Sequence, residues 1–205
     1  MKPTLTFWFE FASTYSYLTA MRIDSVAEPH GIDVVWRPIL LGPIFAAQGW
    51  RTSPFNIYSA KGANMWRDLQ RRCDARGLPL TRPEPFPQNS LRAARVALAA
   101  LETNFGHHYC RQVFIAEFQH GKDISEPETI GEALSAAGLS PDLLSAADDV
   151  SRKAELKARG EEAKAYGLYG APSFTVGEEL FWGDDRLEDA LAWAMRGKAS
   201  FGNRD

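Results

Sequence analysis

The sequence has only two cysteines, Cys73 and Cys110, and neither belongs to a Cys-x-x-Cys pair. A disulfide scaffold and a dithiol oxidase are therefore not expected, and both thiols read as small apolar side chains on helices. Histidine is scarce too. His30, His107, His108 and His120 form neither a His-Glu-x-x-His motif nor a Cys/His cluster, so no zinc site is expected. The pair His107-His108 reads as a solvated helix start. There is no basic block, and the net charge is −3, which removes the electrostatic footprint of a nucleic-acid binder. No apolar run approaches the ~18 residues of a membrane span. The opening MKPTLTFWFEF lacks the charged start, long apolar centre and small-residue cleavage site of a secretory leader. A cytoplasmic protein that meets neither nucleic acid nor membrane is expected. Repeats and low-complexity tracts are absent as well.

What is present is an ordinary globular composition, 45% hydrophobic and 24% charged over 205 residues. That length suits one domain carrying an insertion, or two small domains sharing a core. Thr4 to Phe11 alternates, with Leu5, Phe7, Phe9 and Phe11 on one face, and predicts a strand. A helical stripe of Tyr17, Met21 and Val26 follows and stops at Pro29-His30-Gly31. Ile32 to Trp36 predicts a second strand, parallel to the first in a βαβ unit. Residues 39 to about 60 read as an irregular connection. Between 60 and 150 the spacing predicts helices alone, interrupted by a proline-rich loop from Leu78 to Gln88. One of these helices is expected to open on a capping box, Ser125-Glu126-Pro127-Glu128. A charged helix over 151–166, a hairpin through Gly177-Glu178-Glu179 and a last helix with Leu187, Ala190, Leu191 and Ala194 on one face, followed by Gly197, complete the chain. Without its central helices the pattern is a four-stranded mixed sheet with flanking helices. That is a thioredoxin-like α/β fold, residues 1–40 and 150–205, with a helical domain inserted over 41–149.

Three short stretches carry chemistry. The first is Ser13-Thr14-Tyr15-Ser16, at a strand-to-helix turn, where a thiol enzyme would carry Cys-x-x-Cys. Unpaired N–H groups at a helix start favour an anion, and the Ser13 hydroxyl can donate a hydrogen bond to a thiolate brought by a ligand. On the turn alone, an ordinary N-cap is the commoner reading. The second is Gly170-Ala171-Pro172-Ser173-Phe174. A cis Ala171–Pro172 bond would turn the Ala171 backbone toward Ser13, where a peptide-like thiol could pair with it as an added strand; a trans proline opening an edge strand is the alternative. The third is Trp182-Gly183-Asp184-Asp185. Free N–H groups there can hold a carboxylate, and Asp184 or Asp185 can hold an ammonium, or can simply cap the last helix.

Together these stretches resemble the 2-hydroxychromene-2-carboxylate isomerases and kappa-class glutathione transferases, of the DsbA-like branch of the thioredoxin superfamily. The resemblance runs from FWFEFASTYSYL through FNIYSAKGANMWRDLQRR and PQNSLRAARVALAAL to YGAPSFTVGEELFWGDDRLE. The family usually carries Ser-Pro-x-Ser at the first site; here Thr14 replaces the proline, which should leave the hydroxyl in place and loosen the turn. The resemblance implies that glutathione is the cofactor, with its sulfur held by Ser13 and its cysteinyl backbone by Ala171 and Pro172. Trp182, Gly183, Asp184 and Asp185 would receive the γ-glutamyl end, and Lys61 and Asn56 would lie near a glutathione carboxylate. Asn89 and Arg92 would face the substrate, a small aromatic acid. Reversible thiolate addition to a conjugated 2-oxo acid, with rotation about the former double bond, is the implied reaction. Analogy with relatives implies a homodimer.

Other functions stay open on the residues alone. A kappa-class transferase or peroxidase would use the same thiolate, and a non-catalytic thioredoxin-fold binding module would keep the groove without chemistry. A serine hydrolase fits poorly, because Ser13 lacks a Gly-x-Ser-x-Gly elbow. The aromatic residues Phe45, Trp50, Phe55, Trp66 and Phe86 could line an apolar pocket, although most are expected in the core.

Overall fold

The computed structural model describes residues 2–50 and 52–196; Gly197, the expected helix stop, lies outside them. The chain begins with β1 (Thr4–Phe9), α1 (Thr14–Ala20), α2 (Ile23–Ala27) and β2 (Asp33–Pro38). Helices α3 (Leu41–Ala47), α4 (Pro54–Ile57), α5 (Ser59–Arg76), α6 (Leu91–Ala100), α7 (Gly106–Phe118), α8 (Pro127–Ala136) and α9 (Val150–Ala165) follow. The hairpin β3 (Ser173–Val176) and β4 (Glu179–Trp182) and helix α10 (Leu187–Arg196) close the fold. The sheet order is β2-β1-β3-β4; β1 and β2 are parallel, and the other pairs are antiparallel.

Strand β1 is central and covered on both faces, as strands flanked by helices on either side are. Leu5, Phe7 and Phe9 face a large core shared with α6, α7 and α8; Phe9 and Phe11 both reach Phe114. The insertion helices and the sheet thus pack into one apolar cluster. On the opposite face Trp8 is also buried, against Ile39, Ile44, Ala163 and Leu168, and its indole N–H donates to the Thr175 hydroxyl at 2.9 Å. Among the described residues no helix is long and apolar enough to cross a membrane.

The structure corrects several local expectations. Residues 41–47 form a helix despite Gly42 and Pro43, because a proline in a first turn gives up no intrahelical hydrogen bond. The capping box does not form. The Ser125 N–H is taken by Asp123 at 2.8 Å, and Glu126 becomes the N-cap of α8 without a side-chain cap bond. His107 is no bystander: its ring stacks on Trp36, and its Nδ1 lies 3.0 Å from Asp24.

Candidate active site

The loop leaving β1 passes Glu10, Phe11 and Ala12 and delivers Ser13 as the N-cap of α1. The Ser13 hydroxyl accepts the Ser16 N–H at 3.2 Å, as an N-cap serine does, and donates to the Ala171 carbonyl at 2.9 Å. Two turns distant in sequence thereby meet: the end of the first strand and the approach to β3. The Ala171–Pro172 bond is cis. Thr14, where the family has proline, is held rather than loosened, because its hydroxyl donates to the Met65 sulfur at 3.4 Å. Ser16 does not make a second member of a pair. It is fully buried, its Oγ has no hydrogen-bond partner, and it does not line the cavity above Ser13.

That cavity has a volume of about 870 Å³ and lies between the sheet's end and the helical insertion. Ser13, Lys61, Asn89, Ala171, Pro172, Trp182, Gly183, Asp184 and Asp185, all singled out from sequence, line it. Asn56 and Arg92 do not. The Asn56 amide donates to the Thr52 hydroxyl and the Phe86 carbonyl, and Arg92 donates to the Ser125 carbonyl at 3.2 Å on another side of the molecule. Phe45, Trp50, Phe55 and Phe86 are half-buried in the cavity wall and not in the core. Trp66 stands behind Phe86, edge-on.

Helix α5 supplies one wall. Lys61, Met65, Asp68 and Arg72 recur at three- and four-residue spacing, so one helix face carries them all into the cavity. That spacing was readable in the sequence, although only Lys61 was singled out. Burial tends to raise the Asp68 pKa, but hydrogen bonds from Arg72, 2.8 Å, and from the Tyr15 hydroxyl, 3.0 Å, outweigh it and hold the carboxylate below its ordinary range. The same arrangement, led by burial, pushes the Tyr15 phenol to about 12.

The turn after β4 supplies another wall. Gly183 has φ +111°, a region L-residues avoid, and a Cβ there would come within 2.6 Å of an Asp185 carboxylate oxygen. Asp184 points inward with a side chain 1% exposed. It meets Arg76 at 2.7 Å, Arg22 at 3.4 Å and the Thr19 hydroxyl at 3.0 Å. Its charge is thus satisfied by the protein, while the Asp185 carboxylate stays half-exposed at the cavity edge.

Neither cysteine reaches this region. Both are buried, and burial raises Cys73 to about 11 and Cys110 further still. Among the described residues no cysteine lines the cavity. The cavity thus brings together an N-cap hydroxyl, the carbonyl of the residue before a cis-proline and a wall of insertion helices.

The model of the DsbA-like thioredoxin domain matches residues 4–192. This chain belongs to that family. Within it, the DsbA-like chain is 26% identical to 2-hydroxychromene-2-carboxylate isomerase of Sphingobium xenophagum, over 92% of its own length and 96% of the relative's. It is also 26% identical to human glutathione S-transferase kappa 1, over 90% of its length and 88% of the relative's. A solved 2-hydroxychromene-2-carboxylate isomerase superposes with TM-score 0.83 at 23% identity, covering 98% of this chain and all of that one.

Proposed function

We propose that this protein binds reduced glutathione in the cavity and catalyses the cis–trans isomerisation of a conjugated aromatic 2-oxo acid. The observation that carries the reading is the Ser13 hydroxyl, 2.9 Å from the Ala171 carbonyl in a cavity wall that holds no cysteine. Such a site can serve sulfur chemistry only if a ligand brings the sulfur. The names of the relatives, isomerase and kappa-class transferase, agree with it.

The residues present suit a zwitterionic tripeptide with two carboxylates. Lys61 offers a cation whose Nζ lies 5.6 Å from the Phe55 ring, and Arg72 offers a second. Asp185 has a carboxylate for the ammonium; Asp184, enclosed by arginines, serves to hold the turn. The Ala171 backbone can pair with an extended peptide. When bound, glutathione supplies a thiolate nucleophile that adds to the conjugated carbon and leaves again. Ser13 steadies the negative sulfur by turning its hydroxyl from Ala171 toward it. Phe45, Trp50, Phe55 and Phe86 hold the aromatic ring and exclude water. Asn89 is placed to meet the substrate's polar end; Arg92 would first have to leave Ser125.

Calorimetry with reduced glutathione tests the first half, and the glutathione-dependent absorbance change of trans-o-hydroxybenzylidenepyruvate tests the second. Absence of binding heat, or turnover indifferent to glutathione, overturns the proposal. The 26% identity to the human transferase keeps one other reading, conjugation. Stoichiometric consumption of glutathione with a chlorinated dinitrobenzene would favour it.

A further inference from the structure

Glu10 follows the first strand in the phase opposite to Leu5, Phe7 and Phe9, where a charged side chain would ordinarily meet solvent. It is instead 6% exposed, three residues before Ser13, and it lines the cavity. One of its oxygens accepts the Ser90 hydroxyl proton, and the other accepts the Leu41 N–H at 2.8 Å. Ser90 is buried and lines the cavity beside Asn89. Its hydroxyl makes no cap bond to α6, so it is not needed to start that helix. Behind Glu10 lies Glu117 of α7, fully buried, with neither carboxylate oxygen partnered. Gln88, also in the cavity wall, has a buried Nε2 with no partner. Around Glu10 the cavity wall and the core behind it therefore hold buried polar groups, two of them incompletely partnered.

We propose that Glu10 and Ser90 form the acid pair of this site, passing a proton to and from the carbonyl oxygen of the 2-oxo acid. The inference rests on the isomerase reading. As a nucleophile's electron pair enters the conjugated carbon, the alkene pair shifts and the carbonyl oxygen gathers negative charge. With Glu10 protonated, its bond with Ser90 reverses, so that Glu10 donates and the Ser90 hydroxyl turns to the substrate; the Ser90 proton then moves to that oxygen, and the Glu10 proton replaces it on Ser90, leaving a Glu10 carboxylate. After rotation the proton returns by the same route, the double bond re-forms, and the pair departs with the nucleophile. Nothing is consumed, as an isomerisation requires.

Burial dominates the Glu10 environment and raises its pKa against the hydrogen bonds from Ser90 and from the Leu41, Ala12 and Phe11 amides. The charged groups around it are Glu117 from α7, which disfavours a second negative charge, and Lys61 and Arg72 across the cavity on α5. A carboxyl whose pKa burial raises, set in the cavity wall against a hydroxyl that also lines it, is suited to general-acid work, where roughly 10²–10⁴-fold in rate is typical.

Glu10→Gln preserves the shape and the bond from Leu41 but carries no proton to give. The tests are kcat for trans-o-hydroxybenzylidenepyruvate, calorimetric affinity for glutathione, and the infrared carbonyl stretch of protonated carboxyls in the ligand-free protein. The expected result is a fall of kcat by about 10²-fold or more, with glutathione affinity unchanged. The decline of wild-type kcat with rising pH should vanish, and one protonated-carboxyl band should be lost. Ser90→Ala should lower kcat while keeping that band. Glu117→Gln, outside the cavity, should remove a different band and leave the Glu10 band in place. Glu10→Gln turning over like wild type, or leaving every band in place, overturns the acid pair while the isomerase reading stands. A wild type that retains glutathione but does not isomerise the substrate overturns both.

Discussion

Replacing Ser13 with alanine removes two bonds at once. The cap bond from the Ser16 N–H, 3.2 Å, is worth about 1 kcal/mol, and the bond to the Ala171 carbonyl, 2.9 Å, about 1 kcal/mol more. A loss of about 2 kcal/mol lowers Tm by roughly 4–8 °C in a chain of this size. The functional loss is smaller than a bare thiolate hydrogen bond would suggest. A charge-assisted bond contributes roughly 1.5–3 kcal/mol, but in the free protein the same hydroxyl already makes a neutral bond worth roughly 0.5–1.5. The exchange leaves about 1 kcal/mol specific to the thiolate, hence a bound-thiol pKa about one unit higher in Ser13→Ala. Ultraviolet difference titration of the glutathione thiolate, wild type against variant, reads this directly. Ser16→Ala is the internal control, because its buried hydroxyl has no partner and should leave the titration unchanged. Equal thiol pKa values in wild type and Ser13→Ala, or a shift in Ser16→Ala instead, would refute the role given to Ser13.

Asp184→Asn should cost about 3–5 kcal/mol in denaturant unfolding, since it leaves Arg22 and Arg76 facing a neutral group in a buried network; a loss below about 1 kcal/mol would show the arginines are satisfied elsewhere. Glu117 has a pKa raised well above its ordinary 4.5 because it is buried without a hydrogen bond. The folded state therefore binds the extra proton, and stability should fall by about 1.4 kcal/mol per pH unit as pH rises from the unfolded pKa toward the folded one. Unfolding free energies of Glu117→Gln should lack that component of the slope, and identical slopes would show that Glu117 is ionised or hydrated. Gly183→Ala places a Cβ at φ +111° against Asp185 and should cost about 1–3 kcal/mol while weakening glutathione binding; calorimetry showing unchanged affinity would detach that turn from the ligand.

Much of this was legible in the chain because it depends on local rules. The alternation of Leu5, Phe7 and Phe9, the glycine stop at Gly31 and the hairpin at Gly177 each follow from backbone chemistry, and the structure has them where expected. What escaped depends on partners distant in sequence. Trp8 and Glu10 share the phase opposite to Leu5, Phe7 and Phe9, and segments arriving from residues 39–44, 90 and 163–168 cover them. Gly42 and Pro43 read as a break, yet proline in a first helical turn is compatible with α3. At the site, the Ser13–Ala171 meeting was anticipated from two separated motifs, whereas the inward turn of Asp184 needs Arg22 and Arg76, 162 and 108 positions away. Asn56 and Arg92 were carried by resemblance, and the geometry gives both other partners.

The hydroxyl at Ser13 also bears on which reagents could damage the proposed site. Alkylating reagents and peroxides attack thiolates, and the two thiols here are buried and held protonated by their high pKa values. On the proposed glutathione-dependent reading, oxidative stress acts from outside, by draining the pool of reduced ligand, and activity should recover as soon as that pool is replenished, with no repair of the polypeptide.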